Sequence, residues 1–491
     1  MHARHVFVSS VFLFLLALFL VAFLPPRGSP PPGSFFQPWL PPVSSWSGME
    51  DESAGSECDY SDGRWVRDDD AGVTAYTEDC PFLDPGFQCT RNGRRNDSFR
   101  YWRWWPHHCH LPKFNATEML ERSRNGRIVF AGDSIGRNQW ESMVCMLAGA
   151  SPAGASRVYE QSGKPISRHK GYLSMVFADY NLSVEYYRAP MVVMVDRLPT
   201  NVTGDAGGSV RGAIRLDVLP RHADRWAGAD VLVLNTGHWW NVHKTAKAGN
   251  YFMVGDRLNK SMDIKEAFRL SLETVKDWEL RSAQFSKSYF FFRSYSPSHY
   301  SNGTWNTGGS CAGQQDPLTT TTTMDLLDEE YSWINAMIAK TIEGIRTHGR
   351  KARFLNITHM TELRPDGHPS RHREPGTPPD APEDCSHWCL PGMPDTWNEL
   401  PHPNPCPGHL PHHLGYPSQW RSGPDPRFQH RGGGSPSRLP RAAELSHAEL
   451  AHLDELDEEF NSFPTSKPGD VVWMRYDRLR SVAGHVHVGG C

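Results

Sequence analysis

The sequence predicts an α/β fold, an open sheet flanked by helices, with a disulfide-rich N-terminal subdomain and an N-terminal transmembrane anchor. Three observations predict it. Between Lys113 and about Glu399, short apolar runs of strand length alternate with helix-spaced segments. Ahead of them, residues 58 to 112 are cysteine-dense and loop-like, so crosslinks rather than a large core hold that piece. At the chain start, Val6 to Leu24 contains no charged residue.

The elements follow in order. The nineteen residues 6–24 would span about 28 Å as a helix, close to a bilayer's apolar thickness. The run exceeds a usual signal-peptide core and lacks a small-x-small cleavage site before Pro25 and Pro26. An uncleaved anchor is therefore preferred to a cleaved leader. Arg4, with His2 and His5, precedes the run, so residues 1–5 are read as a cytosolic tail in a type II arrangement. The Pro, Gly and Ser content of Pro25 to Ser47 makes 25–56 a semi-extended stem. Residues 57–112 form the Cys-rich subdomain, 113–400 the α/β domain and 401–491 an atypical tail without a packing pattern.

A luminal location has its own support. Sequons occur at Asn96, Asn115, Asn181, Asn201, Asn259, Asn302 and Asn356, more than stray asparagines supply. Ten cysteines in an oxidising compartment are expected to pair for the most part. Cys385 and Cys389 have no second close pair to complete a zinc site, so no metal is assigned. A formal net charge of −4 with 22% charged residues gives no basic surface for nucleic acid.

Within 113–400, strands are expected at Ile128–Ala131, Leu173–Phe177, Ser183–Tyr187, Val192–Val195, Val231–Asn235 and Tyr289–Arg293. Helices are expected at Ile135–Leu147, Ile264–Ser282 and Asp325–Arg346. Residues 363 to 383 read as a polar loop. The cluster Trp102, Trp104, Trp105 reads as packing rather than binding.

Two motifs carry chemistry. In I-V-F-A-G-D-S-I-G-R-N-Q-W, an apolar strand breaks at Gly132-Asp133-Ser134 and a helix begins. A serine there sits among free backbone N–H groups, where a nucleophile meets ready-made oxyanion donors. A plain helix cap at Asp133 or Ser134 is the competing reading. The second motif is Asp384-Cys385-Ser386-His387-Trp388-Cys389. An Asp three residues before a His can orient the imidazole, on one helical turn or in a tight loop, while the ring takes a serine's proton. The flanking cysteines would pin that segment.

Together these motifs resemble the SGNH/GDSL superfamily (PC-esterase) of acyl-handling enzymes. More closely, the chain resembles the plant trichome-birefringence-like family of polysaccharide O-acetyltransferases. The resemblance rests on G-D-S-I-G-R-N-Q-W-E-S, H-K-G-Y-L, F-A-D-Y-N-L-S-V-E-Y-Y-R-A-P, L-N-T-G-H-W-W, T-G-G-S-C and D-C-S-H-W-C-L-P-G-M-P-D-T-W-N-E-L, from about Cys58 to Leu400. It implies Ser134 as nucleophile, His387 as base and Asp384 as its orienter. It also implies the disulfides Cys58–Cys109, Cys80–Cys145, Cys89–Cys389 and Cys311–Cys385. It further implies that no cofactor is bound, that acetyl-CoA or another acetyl donor is the co-substrate, and that a polysaccharide, foremost xylan, is the acceptor. The implied location is the Golgi membrane with the catalytic domain luminal, and other Golgi proteins are candidate partners.

Around this pair stand further candidates. Asn235 ends a strand at the active edge of the sheet and is an oxyanion candidate, as is Arg137 one turn after Ser134. Trp239, Trp240, Arg188 and Arg293 follow strand ends and are candidate substrate contacts, with packing the alternative for the tryptophans. His238 reads as a hydrogen-bonded structural residue. The family normally continues past D-T-W-N-E-L with a short apolar helix. The departure there reads as an aberrant or alternatively spliced end. The leading function is an O-acetyltransferase. An acetylesterase with the same triad and a non-catalytic polysaccharide-binding protein are the alternatives, because the residues alone do not separate them.

Overall fold

The structure is a computed structural model. It describes residues 59–69, 76–151, 157–163, 166, 171–197, 210–318 and 324–400, with side chains omitted over 324–330. The expected cytosolic tail, anchor and stem, and the tail from 401, lie outside the described residues. Among the described residues, no helix is long and apolar enough to cross a membrane.

The cysteine-rich region contributes an antiparallel ribbon of β1 (Gly63–Arg67) and β2 (Trp102–Pro106). Next come α1 (Ala116–Arg122), β3 (Arg127–Gly132), α2 (Ser134–Gly149), β4 (Val158–Glu160), β5 (Tyr172–Phe177), β6 (Leu182–Arg188), β7 (Met194–Arg197), β8 (Gly212–Arg215), β9 (Val231–Asn235), β10 (Asn250–Val254) and β11 (Arg257–Asn259). The chain then runs through α3 (Ile264–Arg281), β12 (Tyr289–Arg293), α4 (Met324–Arg346), β13 (Ala352–Leu355), α5 (Thr358–Glu362) and α6 (Met393–Glu399).

Seven strands form the central sheet in the order β13-β12-β9-β3-β6-β5-β4. The first five are parallel, while β5 runs against β6 and β4 against β5. A smaller sheet, β11-β10-β8-β7, lies apart from it. The strand expected at Val192–Val195 belongs to this second sheet and starts only at Met194, because Val192 sits at φ 52° and breaks the extended run.

Period-two alternation divides the core between the two faces of the central sheet. Val129, Ala131, Leu232, Leu234, Phe290 and Phe292 pack with Phe268 and Leu272 of α3 and Ile338 and Ile342 of α4. The intervening Ile128, Phe130, Val233 and Phe291 pack with Trp140, Val144 and Leu147 of α2. Each buried Val, Leu, Ile or Phe among them contributes roughly 1.5–3 kcal/mol of transfer free energy, so a shift of register by one residue would exchange the two faces at large cost.

Helix α2 has no solvent face: residues 135–148 are all buried. It lies between the sheet and a layer made by α1, α6 and the cysteine-rich segment. Its polar residues are therefore paired. Gln139 and Asn398 of α6 exchange two hydrogen bonds, each of 3.1 Å. Trp104 is 1% exposed and meets Trp65 edge-on at 5.4 Å, the packing role expected of it, whereas Trp105 of the same cluster is 41% exposed. The segment expected to be a polar loop is buried from Leu363 to Ser370. Its polarity is absorbed internally. Arg364 pairs with Asp366 at 2.8 Å, and Arg94 donates to the carbonyls of His368 and Asp366.

Candidate active site

The parallel strands deliver their carboxyl ends to one edge. Gly132 of β3 lies opposite Arg188 of β6, and Asn235 of β9 lies opposite Arg293 of β12. Asp133 then caps α2: its Oδ1 accepts the N–H groups of Ile135 at 2.9 Å and Gly136 at 3.3 Å. Ser134 follows as the first helical residue. It is exposed, although its neighbours on both sides are buried. The cap is thus Asp133, which leaves the Ser134 side chain exposed at the first helical position.

Asn235 explains both glycines of G-D-S-I-G. A Cβ at Gly132 would meet its Oδ1 at 2.0 Å, and one at Gly136 would meet it at 1.9 Å. In that notch its Nδ2 donates to Asp133 Oδ1 at 2.5 Å. Burial pushes the Asp133 carboxyl up, but His238, Arg293 and the Asn235 amide outweigh it and hold the group far below the carboxylate range. His238 faces Asp133 Oδ2 at 3.4 Å and Ser296 O at 2.9 Å and stacks on Tyr295. A carbonyl accepts only, so Nε2 of His238 carries a proton.

The second motif forms a tight loop. Asp384 Oδ2 lies 2.9 Å from His387 Nδ1, and its Oδ1 accepts the backbone N–H groups of Ser386 and His387. Burial raises this carboxyl, and the His387 charge and hydrogen bonds then carry it well below the usual range. The Cys311–Cys385 and Cys89–Cys389 disulfides pin the loop at either end. The ring of Phe87 sits 5.6 Å from that of His387, and the Phe87 carbonyl accepts from Leu390 N–H.

Asn138 joins the halves. Its Nδ2 donates to Trp388 O at 3.2 Å while its Oδ1 accepts Trp388 N–H at 2.8 Å. Ser134 lies one turn earlier on the same helix face, about 6 Å away by helix geometry. His387 is the residue next to Trp388. Among the described residues no hydrogen bond joins Ser134 to His387 directly; the clamp is what brings the two motifs together.

Residues 111–401 match the family described as a GDSL/SGNH-like acyl-esterase family found in Pmr5 and Cas1p. Residues 56–110 match the Pmr5 N-terminal domain. The chain is 50% identical over 359 residues to trichome birefringence-like 9 of Arabidopsis thaliana, covering 72% of this chain and 85% of that protein. It is also 40% identical over 365 residues to trichome birefringence-like 6 of the same plant, covering 73% of each. The chain belongs to the trichome birefringence-like family. Residues 432–489, beyond the described part, separately match a plant phosphoribosyltransferase C-terminal family. That match gives most of the atypical tail a likeness of its own, apart from the trichome birefringence-like domain.

Three of the four expected disulfides of this trichome birefringence-like chain are present: Cys80–Cys145, Cys89–Cys389 and Cys311–Cys385. The fourth, Cys58–Cys109, involves Cys58, which lies outside the described residues. Asn115, Asn181, Asn259 and Asn302 are exposed and Asn96 and Asn356 half-buried, while Asn201 lies outside the described residues.

Three candidates are placed otherwise than expected. Arg137 turns away from Ser134 into a buried cluster, 2.9 Å from Glu141 and 3.5 Å from Asp84, because those dry carboxylates need a cation. Trp240 is 3% exposed, packs on Phe252 and Phe268 and bonds Thr236, so it is core rather than a sugar platform. Arg293 is 1% exposed beneath α2. It donates to Ile135 O and Gln139 Oε1 and lies over Trp397, a support without access to ligand.

Trp239 and Arg188 do reach the surface. The Arg188 guanidinium lies 5.6 Å from the Trp239 ring, and Lys244 Nζ lies 5.0 Å from it on the way to Trp305 at 4.8 Å. Sequence reading missed Lys244 and Trp305. The Trp305 loop closes through the Ser301–Ser310 bridge and is tied to the His387 loop by Cys311–Cys385. The signal available was T-W-N-T-G-G-S-C, an aromatic close before a cysteine of the site.

Proposed function

We propose that this chain is an O-acetyltransferase working through an acetyl-serine on Ser134. The observation that carries the reading is the Asn138 clamp, which links the exposed serine at the α2 N-terminus to the loop holding Asp384 and His387. His387 takes the Ser134 proton as Oγ attacks the acetyl carbonyl of the donor, acetyl-CoA or an equivalent. The ring then returns that proton to the leaving group. A sugar hydroxyl, deprotonated by the same ring, attacks the acetyl-serine carbonyl; the bond from that carbon to Ser134 Oγ breaks, and the ring returns the proton to Oγ. The N–H of Ser134 is the proposed oxyanion donor; the Asn235 amide, expected beside it, is spent on Asp133 in its buried notch and supports the helix start instead.

The acceptor is read as a wall polysaccharide, foremost xylan, lying along Arg188, Trp239, Lys244 and Trp305. Two indole faces suit the flat faces of pyranose rings, and the strip begins beside the strand end that carries the G-D-S motif. The reading includes a type II anchor at 6–24 and a Golgi lumen location. Hydrolysis is the second reading, favoured by the family's acyl-esterase description.

One experiment separates them. The luminal part is incubated with a labelled acetyl donor and unacetylated xylan oligomers, beside Ser134→Ala. Acetylated product lost in the variant supports transfer. Acetate released from acetylated xylan, with no transfer, supports the esterase. Neither activity in a folded protein overturns both.

A further inference from the structure

Behind the His387 loop two buried histidines meet. His299 Nδ1 lies 2.7 Å from His368 Nε2. The other nitrogen of each ring faces a backbone carbonyl: His299 Nε2 is 3.0 Å from Glu362 O, and His368 Nδ1 is 2.7 Å from His387 O. Carbonyls only accept, so each of those outer nitrogens must carry a proton. A neutral imidazole has one N–H. If both rings were neutral, the inner nitrogens would present lone pair to lone pair at 2.7 Å, a repulsive contact. One further proton between them turns it into a charge-assisted hydrogen bond.

We propose that His299 and His368 are a positioning pair that shares one proton beyond neutrality, and that this proton fixes the backbone carbonyl of His387 and hence the base. The pair sits between two backbone bonds that also hold the loop, His299 N–H to Cys385 O and Cys389 N–H to Gly367 O, each 3.0 Å. Loss of the proton forces the rings apart and loosens both.

The surroundings are mixed. Asp366 faces His299, and Asp384 and His387 face His368. Arg94 donates to His368 O, and Arg364 is occupied by Asp366. The Trp388 ring centroid lies 4.0 Å from that of His368, where an indole face favours a cation. Burial opposes the charge and pulls both rings down, His299 to about 4. Geometry thus demands a proton that desolvation makes easy to lose, and the pair is poised to release it as the pH rises.

The pair rests on the reading of His387 as base, so its test includes a readout that needs no activity. Hydrogen exchange of residues 384–389 is followed in the full chain from about pH 3.5 to about pH 7.5, a range that spans the lowered His299 value, corrected for intrinsic rates. Protection is expected to fall as pH rises, by up to about tenfold per pH unit beyond the transition. In His299→Asn the amide donates to the lone pair of a neutral His368, so protection should persist at the higher pH. The alkaline fall in kcat/KM should vanish there too, with the acceptor KM unchanged. Loop protection in the parent that is independent of pH overturns the proposal even if the variant fails to fold. The same pH dependence in a folded His299→Asn also overturns it. Absence of acetyl transfer would sink the functional reading and leave the exchange result to decide the pair.

Discussion

Asn138 holds both backbone polar groups of Trp388, donating at 3.2 Å and accepting at 2.8 Å, across 250 residues of sequence. This side chain couples the serine's helix to the histidine's loop. Asn138→Ala leaves two buried backbone groups unpaired, at about 1–3 kcal/mol, and frees the loop to drift. A fall of about 100-fold in kcat/KM with KM little changed is expected. Full activity with a lowered melting temperature would show the clamp to be structural only.

Gly136→Ala tests the Asn235 notch. The new methyl meets Asn235 Oδ1 at 1.9 Å, an overpacking of about 1–3 kcal/mol. Asn235→Ala makes room, so the double variant should unfold less readily than the sum of the singles predicts. Simple additivity in chemical denaturation would refute the contact.

Asp384→Asn keeps the acceptor for the loop N–H groups but points an amide at His387 Nδ1, favouring the wrong tautomer. Activity should drop by about 10³–10⁴ with the fold retained. The wild-type carboxyl is held below its unfolded value, so its stabilisation is complete above about pH 4. That stabilisation is lost as pH falls through the folded value. Melting curves of the variant should therefore lack part of the parent's acid-side decline. An identical decline in both would count against it.

The two adjacent tryptophans should behave oppositely. Trp239→Ala should leave the melting temperature near the parent's and raise the acceptor KM about tenfold. Trp240→Ala should cost about 3–5 kcal/mol of stability through the cavity it leaves. Equal effects on stability would contradict the placement of Trp240 against Phe252 and Phe268.

The inner parallel strands were legible because they are buried on both faces and read as apolar runs: Ile128–Ala131, Val231–Asn235 and Tyr289–Arg293 all appear as strands, whereas the parallel edge strand Ala352–Leu355 was not expected. The short edge and second-sheet strands, such as Gly212–Arg215, carry too little apolar pattern to stand out. The Asp384–His387 pairing was legible because an i, i+3 spacing is local. Arg137 was not: Glu141 is a local i, i+4 partner, but the burial of that helix face and the second carboxylate, Asp84, come from other parts of the chain. Leu363 to Ser370 read as polar because charge in a sequence looks solvated until its partners, here Arg94 and the Arg364–Asp366 pair, are seen around it.

The Cys89–Cys389 crosslink spans 300 residues, and this orders events during biosynthesis. Cys80 can find Cys145 as soon as the first third of the chain emerges, but Cys89 must wait until nearly the whole domain has been translated. A ribosome-bound polypeptide therefore already displays Ser134 while the segment carrying His387 is neither made nor locked. On the proposed reading, Ser134 and His387 act together only once this last crosslink has closed.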